Sequence, residues 1–360
     1  MADNTVSSPR GLGGLFARRS GKRLHWTDWV SYGFLIIGVF VMFGPVLWVV
    51  LSSLKSPASL SEFPPTFLPY ATETVAVAGY EEPLDLYTVT LPDGSTRKMA
   101  QIRRIGLQAQ MIDPQNPSDK ISVNIADRVP ERKVAPAWNN YTDLFAPNSG
   151  RNMGLYTYNS VFITVVATII TVVMNAMAAF ALSKYRFKGR DGALVAILAT
   201  LMIPSTVVLV PVFMIVGAIG LVGNLWGVIL PTVATPTGVF LLRQYMLTIP
   251  DELLEAARMD HATEWRIFWR IIMPLSAPAL AVVAIFSMMS RWNDFLLPLV
   301  MLNRPEKFTL QLALNSFQGE NVVQYNYLLA MTVLTALPVA LVFVGLQRYI
   351  ASGIASTGIK

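Results

Sequence analysis

Long apolar runs without a charged residue dominate the chain. They cover Trp29–Leu51, Tyr156–Ser183, Gly192–Leu242, Ile271–Ser290 and Asn321–Gln347. A helix needs about 20 apolar residues to cross the hydrocarbon core of a bilayer, so each run suffices for a membrane span. The third is too long for one helix. Gly220-Leu221-Val222-Gly223-Asn224 offers a turn within it, and the pattern predicts six spans. Pro45, Pro204, Pro211, Pro231, Pro236, Pro278 and Pro338 fall in or beside these runs. There proline kinks a helix, and neighbours satisfy the freed carbonyls. Asn175-Ala176-Met177-Ala178-Ala179 is a stretch of small residues that suits close helix approach.

Residues 56–150 depart from this pattern. Their middle, about 71–137, reads as a small β-rich insert. Leu86-Tyr87-Thr88-Val89-Thr90-Leu91 carries strand-forming side chains, Pro92-Asp93-Gly94-Ser95 is a turn signal, and Lys98–Ile105 resumes an extended pattern. Together they predict a hairpin, to which Ile121–Ile125 adds a strand. A piece this short is marginal as an independent core, so it is expected to rest on the membrane part or on a partner.

Composition agrees with the run pattern. Of 360 residues, 53% are hydrophobic and 14% charged, against about 25% charged in soluble domains. The formal net charge is +6. The basic residues flank apolar runs and lack a DNA-binding motif around them, which argues against nucleic acid. They fit a topology rule instead, because Lys and Arg gather in cytoplasmic loops. Arg10, Arg18, Arg19, Lys22 and Arg23 precede the first run. Lys184, Arg186, Lys188 and Arg190 follow the second, and Arg243, Arg258, Arg266 and Arg270 follow the fourth span. Arg348 and Lys360 follow the last. Six spans put all four groups on one side, with both termini cytoplasmic and 56–150 outside. Residues 1–26 are expected to form a cytoplasmic tail rather than a cleaved signal, because the apolar run after them exceeds a signal core. Residues 27–55 form the first span, 151–350 a five-helix core, and 351–360 a second tail. No cysteine is present, and His25 and His261 stand apart from any metal-ligating cluster.

One cytoplasmic segment, about 247–270, carries chemistry. Asp251, Glu252, Glu255, Arg258, Asp260, Glu264, Arg266 and Arg270 crowd into Asp251–Arg270, a density no span would hold. The segment is nonetheless helical in pattern. Pro250 suits a first turn, and Asp251, Glu252 and Glu255 complement the positive helix end. Leu253, Leu254 and Ala257 share one face, while Trp265, Phe268 and Trp269 share another. Asp260-His261-Ala262-Thr263 separates the two halves and offers capping residues. Pattern alone leaves this open between a force-transmitting element and an ordinary amphipathic connector.

A resemblance to a known family favours the first. Glu255-Ala256-Ala257, three residues, position 261, nine residues and Ile271-Ile272-Met273-Pro274 resembles the EAA signature of ABC importer permeases. That signature has glycine at the position of His261 and leucine at that of Met273. Leucine to methionine is mild, whereas glycine permits backbone angles that histidine adopts only at a cost. Asn159-Ser160, Ala178–Leu182, Arg186-Phe187-Lys188-Gly189-Arg190, Trp292-Asn293-Asp294-Phe295, Thr309-Leu310-Gln311, Leu337-Pro338 and Gln347-Arg348-Tyr349 resemble the carbohydrate-type members. Ser53-Leu54-Lys55 and Phe63-Pro64-Pro65-Thr66 do so as well. The closest likeness is to the second permease of maltose-type importers, with an α-glucoside-like trait in the insert. There an Asn-Tyr pair soon follows the Phe-Pro-Pro stretch; here it is Asn140-Tyr141, displaced by the insert.

The resemblance implies an all-α membrane protein of the six-span importer type, with a small β-rich extracytoplasmic insert, in a bacterial or archaeal cytoplasmic membrane. It also implies a heterodimer with a second permease, two ATPase subunits and an extracytoplasmic sugar-binding protein. Coupling to the ATPase falls to Glu255, Ala256, Ala257, Arg258, Asp260, His261, Ile271 and Pro274. The chain has no Walker-type phosphate loop, so it is not expected to be an enzyme or to hold a cofactor. ATP and magnesium belong to the partner ATPase. Polar groups in or beside spans mark candidate pathway positions: Asn175, Arg291, Asn293 and Asp294, with Arg291 and Asp294 on one helix face. Their alternative is helix packing. The external Arg304–Tyr327 loop is expected to meet the binding protein. A secondary transporter or channel without ATPase partners explains six spans equally but leaves the EAA spacing unexplained.

Overall fold

The structure, a computed structural model, describes residues 26–91, 94–146, 152–315, 317 and 323–357, with 346–357 as helical backbone only. The basic N-terminal tail, the Pro92-Asp93 half of the hairpin turn and Lys360 lie outside the described residues. Among those described, Trp26–Ser53, Met153–Lys184 and Tyr325–Gly345 are long and apolar enough to cross a membrane unbroken. Three further segments reach that length only as bent pairs. Arg190–Met202 meets Ser205–Ala218 at 105°, Leu225–Thr232 meets Pro236–Leu247 at 44°, and Glu264–Leu275 meets Ala277–Trp292 at 80°. Pro204 and Pro236 stand at the first two breaks, while Pro45, Pro211 and Pro338 are absorbed inside helices. The Gly220–Asn224 turn is present, with Gly220 and Gly223 at φ +73° and +79°.

Met153–Lys184 is the central helix. It packs against Pro236–Leu247 and Ala277–Trp292 more extensively than any other helix pair. Small residues explain the closeness: Ala176 and Ala179 are fully buried. A Cβ on Gly238 would lie 2.2 Å from the Asn175 amide nitrogen. Trp26–Ser53, by contrast, turns almost all its apolar surface outward and touches the helix Tyr325–Thr357. Its end is held by Asn140, whose amide donates to the carbonyls of Ser53 and Lys55, both at 2.8 Å. Asn140 also accepts from Asn326 at 3.0 Å, and the Tyr141 hydroxyl meets Ser53 Oγ at 2.6 Å. The Asn-Tyr pair thus rejoins the first helix after the long excursion between them.

That excursion is a sheet domain. β1 (Tyr70–Thr72) and β8 (Arg132–Val134) pair antiparallel, with Tyr70 opposite Val134. Beyond this neck lie β2 (Thr74–Val75), β3 (Leu84–Thr90), β4 (Thr96–Ile105), β5 (Gln108–Ile112), β6 (Lys120–Asn124) and β7 (Arg128–Pro130). They form an antiparallel sheet ordered β2-β3-β4-β5-β6, with β7 also on β3. The expected hairpin is β3–β4; β5 was not anticipated. The sheet has packing of its own on both faces. Val89, Met99, Ala109 and Met111 cluster on one side, Val77, Ala100 and Ile112 on the other. Enough alternate positions are apolar to bury a strip on each face.

Candidate functional site

The charged segment folds as two helices around a tight turn. Glu252–Met259 carries Glu252 and Glu255 in its first turn and Arg258 in its last, signs that complement the helix dipole. It closes with a Schellman motif. Ala262 N–H donates to the Ala257 carbonyl and His261 N–H to the Arg258 carbonyl, each at 3.0 Å. Such a cap needs one residue in left-handed space, and His261 fills it at φ +54°. It is the one non-glycine residue at positive φ among the described residues. The spacing from Ala257 to position 261 is therefore the geometry of a helix cap. Ala257 and Ala262, which the cap brings together, pack on the same core. Thr263 then caps the second helix by accepting from Arg266 N–H at 3.3 Å. The second helix widens to a π turn over Phe268–Ile272, just before Pro274, which has no N–H to give the ladder.

The segment rests on the bundle through buried side chains. Leu254, Ile267, Phe268 and Ile272 join Ala176, Ala179, Phe180, Leu242, Met246 and Val283 in one cluster. Ile271 and Met273 pack beside it, while Pro274 is exposed. Glu255, Ala256, Asp260 and His261 face outward. So do Met259, 81% exposed, and Trp265, 60% exposed. With Arg258, Arg266 and Arg270 also exposed, the outer surface carries both signs of charge with apolar side chains bared.

Polar contacts tie the same segment to the end of the central helix. Lys184 Nζ donates to the Ile249 carbonyl at 2.5 Å and to Asp251 Oδ1 at 2.6 Å. The Lys184 side chain is 3% exposed and that of Asp251 72%. The hydrogen bond from Lys184 holds the Asp251 carboxyl below its usual range. Arg258 Nε donates to Glu264 Oε1 at 2.9 Å and Nη2 to Oε2 at 3.4 Å, across the His261 turn. The Tyr185 hydroxyl donates to Glu264 as well. Arg258 is the main reason the Glu264 carboxyl titrates low, while partial burial, then Glu264, pushes the Tyr185 hydroxyl up to about 12. At neutral pH Asp251 and Glu264 are ionised and Tyr185 keeps its proton, the forms these bonds require. Sequence reasoning missed Lys184, Tyr185 and Glu264 as site residues. Lys184 and Tyr185 meet partners distant in the chain, Asp251 and Glu264, and no spacing announces them.

The four polar residues near spans separate. Asn175 is fully buried. Its amide donates to Thr235 Oγ1 at 2.5 Å and accepts from Thr235 N–H at 3.1 Å, pinning the break before Pro236. Arg291 is buried and forms no ion pair with Asp294 among the described residues. Its guanidinium donates to the Ser287 carbonyl at 3.3 Å, to Thr171 Oγ1 at 3.0 Å and to the Thr232 carbonyl. Asp294 accepts from Leu297 N–H at 3.3 Å. Asn293 is exposed, and its side-chain oxygen stands 3.5 Å from the Gln311 amide.

With this geometry in place, comparison with known proteins is informative. Residues 176–356 match the family described as "Binding-protein-dependent transport system inner membrane component". The arabinooligosaccharides transport system permease protein AraQ of Bacillus subtilis is 34% identical over 267 residues, covering 74% of this chain and 87% of AraQ. The diacetylchitobiose uptake system permease protein NgcG of Streptomyces coelicolor is 34% identical over 207 residues, covering 56% of this chain and 68% of NgcG. A chain in the crystal structure of a bacterial ABC transporter, one involved in import of the acidic polysaccharide alginate, superposes with a TM-score of 0.65 at 20% identity. That match covers 91% of this chain and 99% of the other, and it shows a shared fold. The matched family region begins within the central helix and takes in the whole capped segment, and the chain belongs to this family of multi-pass membrane components, the permeases of binding-protein-dependent ABC importers.

Proposed function

We propose that this chain is one of two permease subunits in an ATP-driven importer for a carbohydrate, a di- or oligosaccharide or related polyol. The three unbroken helices and three bent pairs make six spans, with both termini cytoplasmic and the sheet domain outside. Glu252–Met259 is the helix that docks on the ATPase. The observation that carries this reading is the outward face of that helix. Glu255, at the head of the signature, is exposed and its carboxylate makes no hydrogen bond within the described residues, beside bared Met259. A helix capped rigidly at His261 transmits force where a loose loop does not. ATP bound in the ATPase pair supplies the bias between two access states. Carbohydrate specificity rests on relatives whose names specify arabino-oligosaccharides and diacetylchitobiose. Asn293 is the exposed polar candidate for sugar hydroxyls, its amide oriented by the Met289 carbonyl and Gln311; Asn175 and Arg291 set helix breaks. The sheet domain and the Arg304–Tyr327 loop face the binding protein.

Glu255→Lys tests the docking reading. A thermal-shift screen of the cognate binding protein first identifies a sugar. Uptake of that sugar, radiolabelled, is then measured in proteoliposomes holding the whole transporter. Uptake is expected to fall at least about tenfold, the scale of a lost buried charge contact, with the chain still inserted in the membrane. Normal uptake together with normal ATP turnover would show that this helix does not couple.

A further inference from the structure

The capped segment is continuous in the chain with Pro236–Leu247 and Ala277–Trp292, but not with the central helix Met153–Lys184. Anything passed to the central helix must cross non-covalent contacts. Part of that contact is apolar: Phe180 of the central helix meets Phe268 with ring centroids 5.7 Å apart. Apolar surfaces resist separation but tolerate sliding, because burial is non-directional. Directional contacts fix register, and they occur at two points on opposite sides of the docking helix.

We propose that Tyr185–Glu264–Arg258 and Lys184–Asp251 form a two-point clamp that makes the docking helix and the central helix move as one body. Lys184 grips the entry of the segment through Ile249 and Asp251. Tyr185, the next residue, grips its second helix through Glu264. Glu264 also receives the Arg258 fork from across the turn, so the angle between the two short helices is set by the same carboxylate. Both grips come from the last residue and the cap of one helix, which leaves no flexible linker between them. These are positioning residues, and the proposal rests on the docking reading above.

The chain contains no cysteine, so paired spin labels can be placed cleanly. Leu253→Cys labels the docking helix off the Glu255–Met259 face and Tyr158→Cys the far part of the central helix; both native side chains are exposed. The whole transporter, with cysteine-free partners, is studied in nanodiscs before and after trapping with ATP and vanadate. The clamped protein is expected to keep one label-to-label distance in both states. Tyr185→Phe removes a single hydroxyl and leaves the packing intact. With it, or with Glu264→Gln, the trapped distance shifts or broadens. If either variant keeps the parent distance in both states, the clamp is not what joins the two helices. Loss of the ATPase from the complex in these variants would also overturn the proposal, by placing Tyr185 and Glu264 in the docking surface itself. Glu255→Lys with the clamp intact keeps the fixed distance even where docking is lost, so the two readings fail separately.

Discussion

Two polar interruptions divide this apolar chain, the sheet domain at 70–134 and the capped segment after Asp251, and they are built on opposite principles. The sheet domain buries Val89, Met99 and Met111 against one another and joins the rest through a paired neck. The capped segment has no core of its own. Leu254, Ile267 and Phe268 are buried only because the bundle helices supply Ala176, Phe180, Leu242 and Met246. One is an accessory that folds on itself; the other is an outgrowth of the membrane core. The segment therefore shares its core with the bundle, whereas the sheet domain keeps apolar clusters of its own.

The sharpest way to break this contrast is to insert a charge under the segment. Leu254 is 2% exposed, so Leu254→Asp places a carboxylate in an apolar cluster without a partner. Such lesions cost more than about 4 kcal/mol. The expected outcome is loss of the main thermal transition of the purified chain in detergent, not local fraying. A melting profile unchanged by this substitution would show that the segment is an add-on like the sheet.

A milder lesion tests the other half. Met111 is fully buried in β5, and truncating such a side chain costs about 2–5 kcal/mol. Met111→Ala is expected to raise hydrogen exchange throughout β3–β6 while the amides of Met153–Lys184 keep their protection. Exchange spreading into the central helix would mean that the two regions share one cooperative core.

The contrast also explains what the sequence disclosed. The long apolar helices were legible because uncharged runs of that length have few uses outside a bilayer. The capped helix was legible through the spacing of Glu255, Ala257 and position 261, which turns out to be the spacing of a cap. The insert was half legible. Leu86–Thr90 alternates clearly, but β5 is a five-residue strand, Gln-Ala-Gln-Met-Ile, whose only announcement is the glycine turn at Gly106, φ +61°. The clamp was illegible: Lys184 and Asp251, or Tyr185 and Glu264, meet only because the bundle folds. Asn175 and Arg291 read as pathway candidates because they are polar within apolar runs. In the structure Asn175 meets Thr235 and Arg291 meets the Thr232 carbonyl, both at a helix break that composition does not locate.

His261 offers the smallest and cleanest measurement. Histidine stands here where the signature has glycine, and its backbone takes the left-handed conformation at φ +54°. For an L-residue the left-handed conformation costs roughly 1–2 kcal/mol, though histidine tolerates it better than branched residues. Its imidazole is exposed and makes no hydrogen bond within the described residues, so glycine forfeits no side-chain contact. Against the relief stands the larger backbone entropy that glycine loses on folding, about 0.5–1 kcal/mol. The two nearly offset, and the relief wins by up to about 1 kcal/mol. His261→Gly is therefore expected to raise the melting temperature slightly, and His261→Val, β-branched and poorly tolerated at positive φ, to lower it by more. That order separates cap geometry from any role of the imidazole. If glycine and valine both lower stability by the same amount, the histidine side chain itself holds the turn, and the cap is not what the position provides.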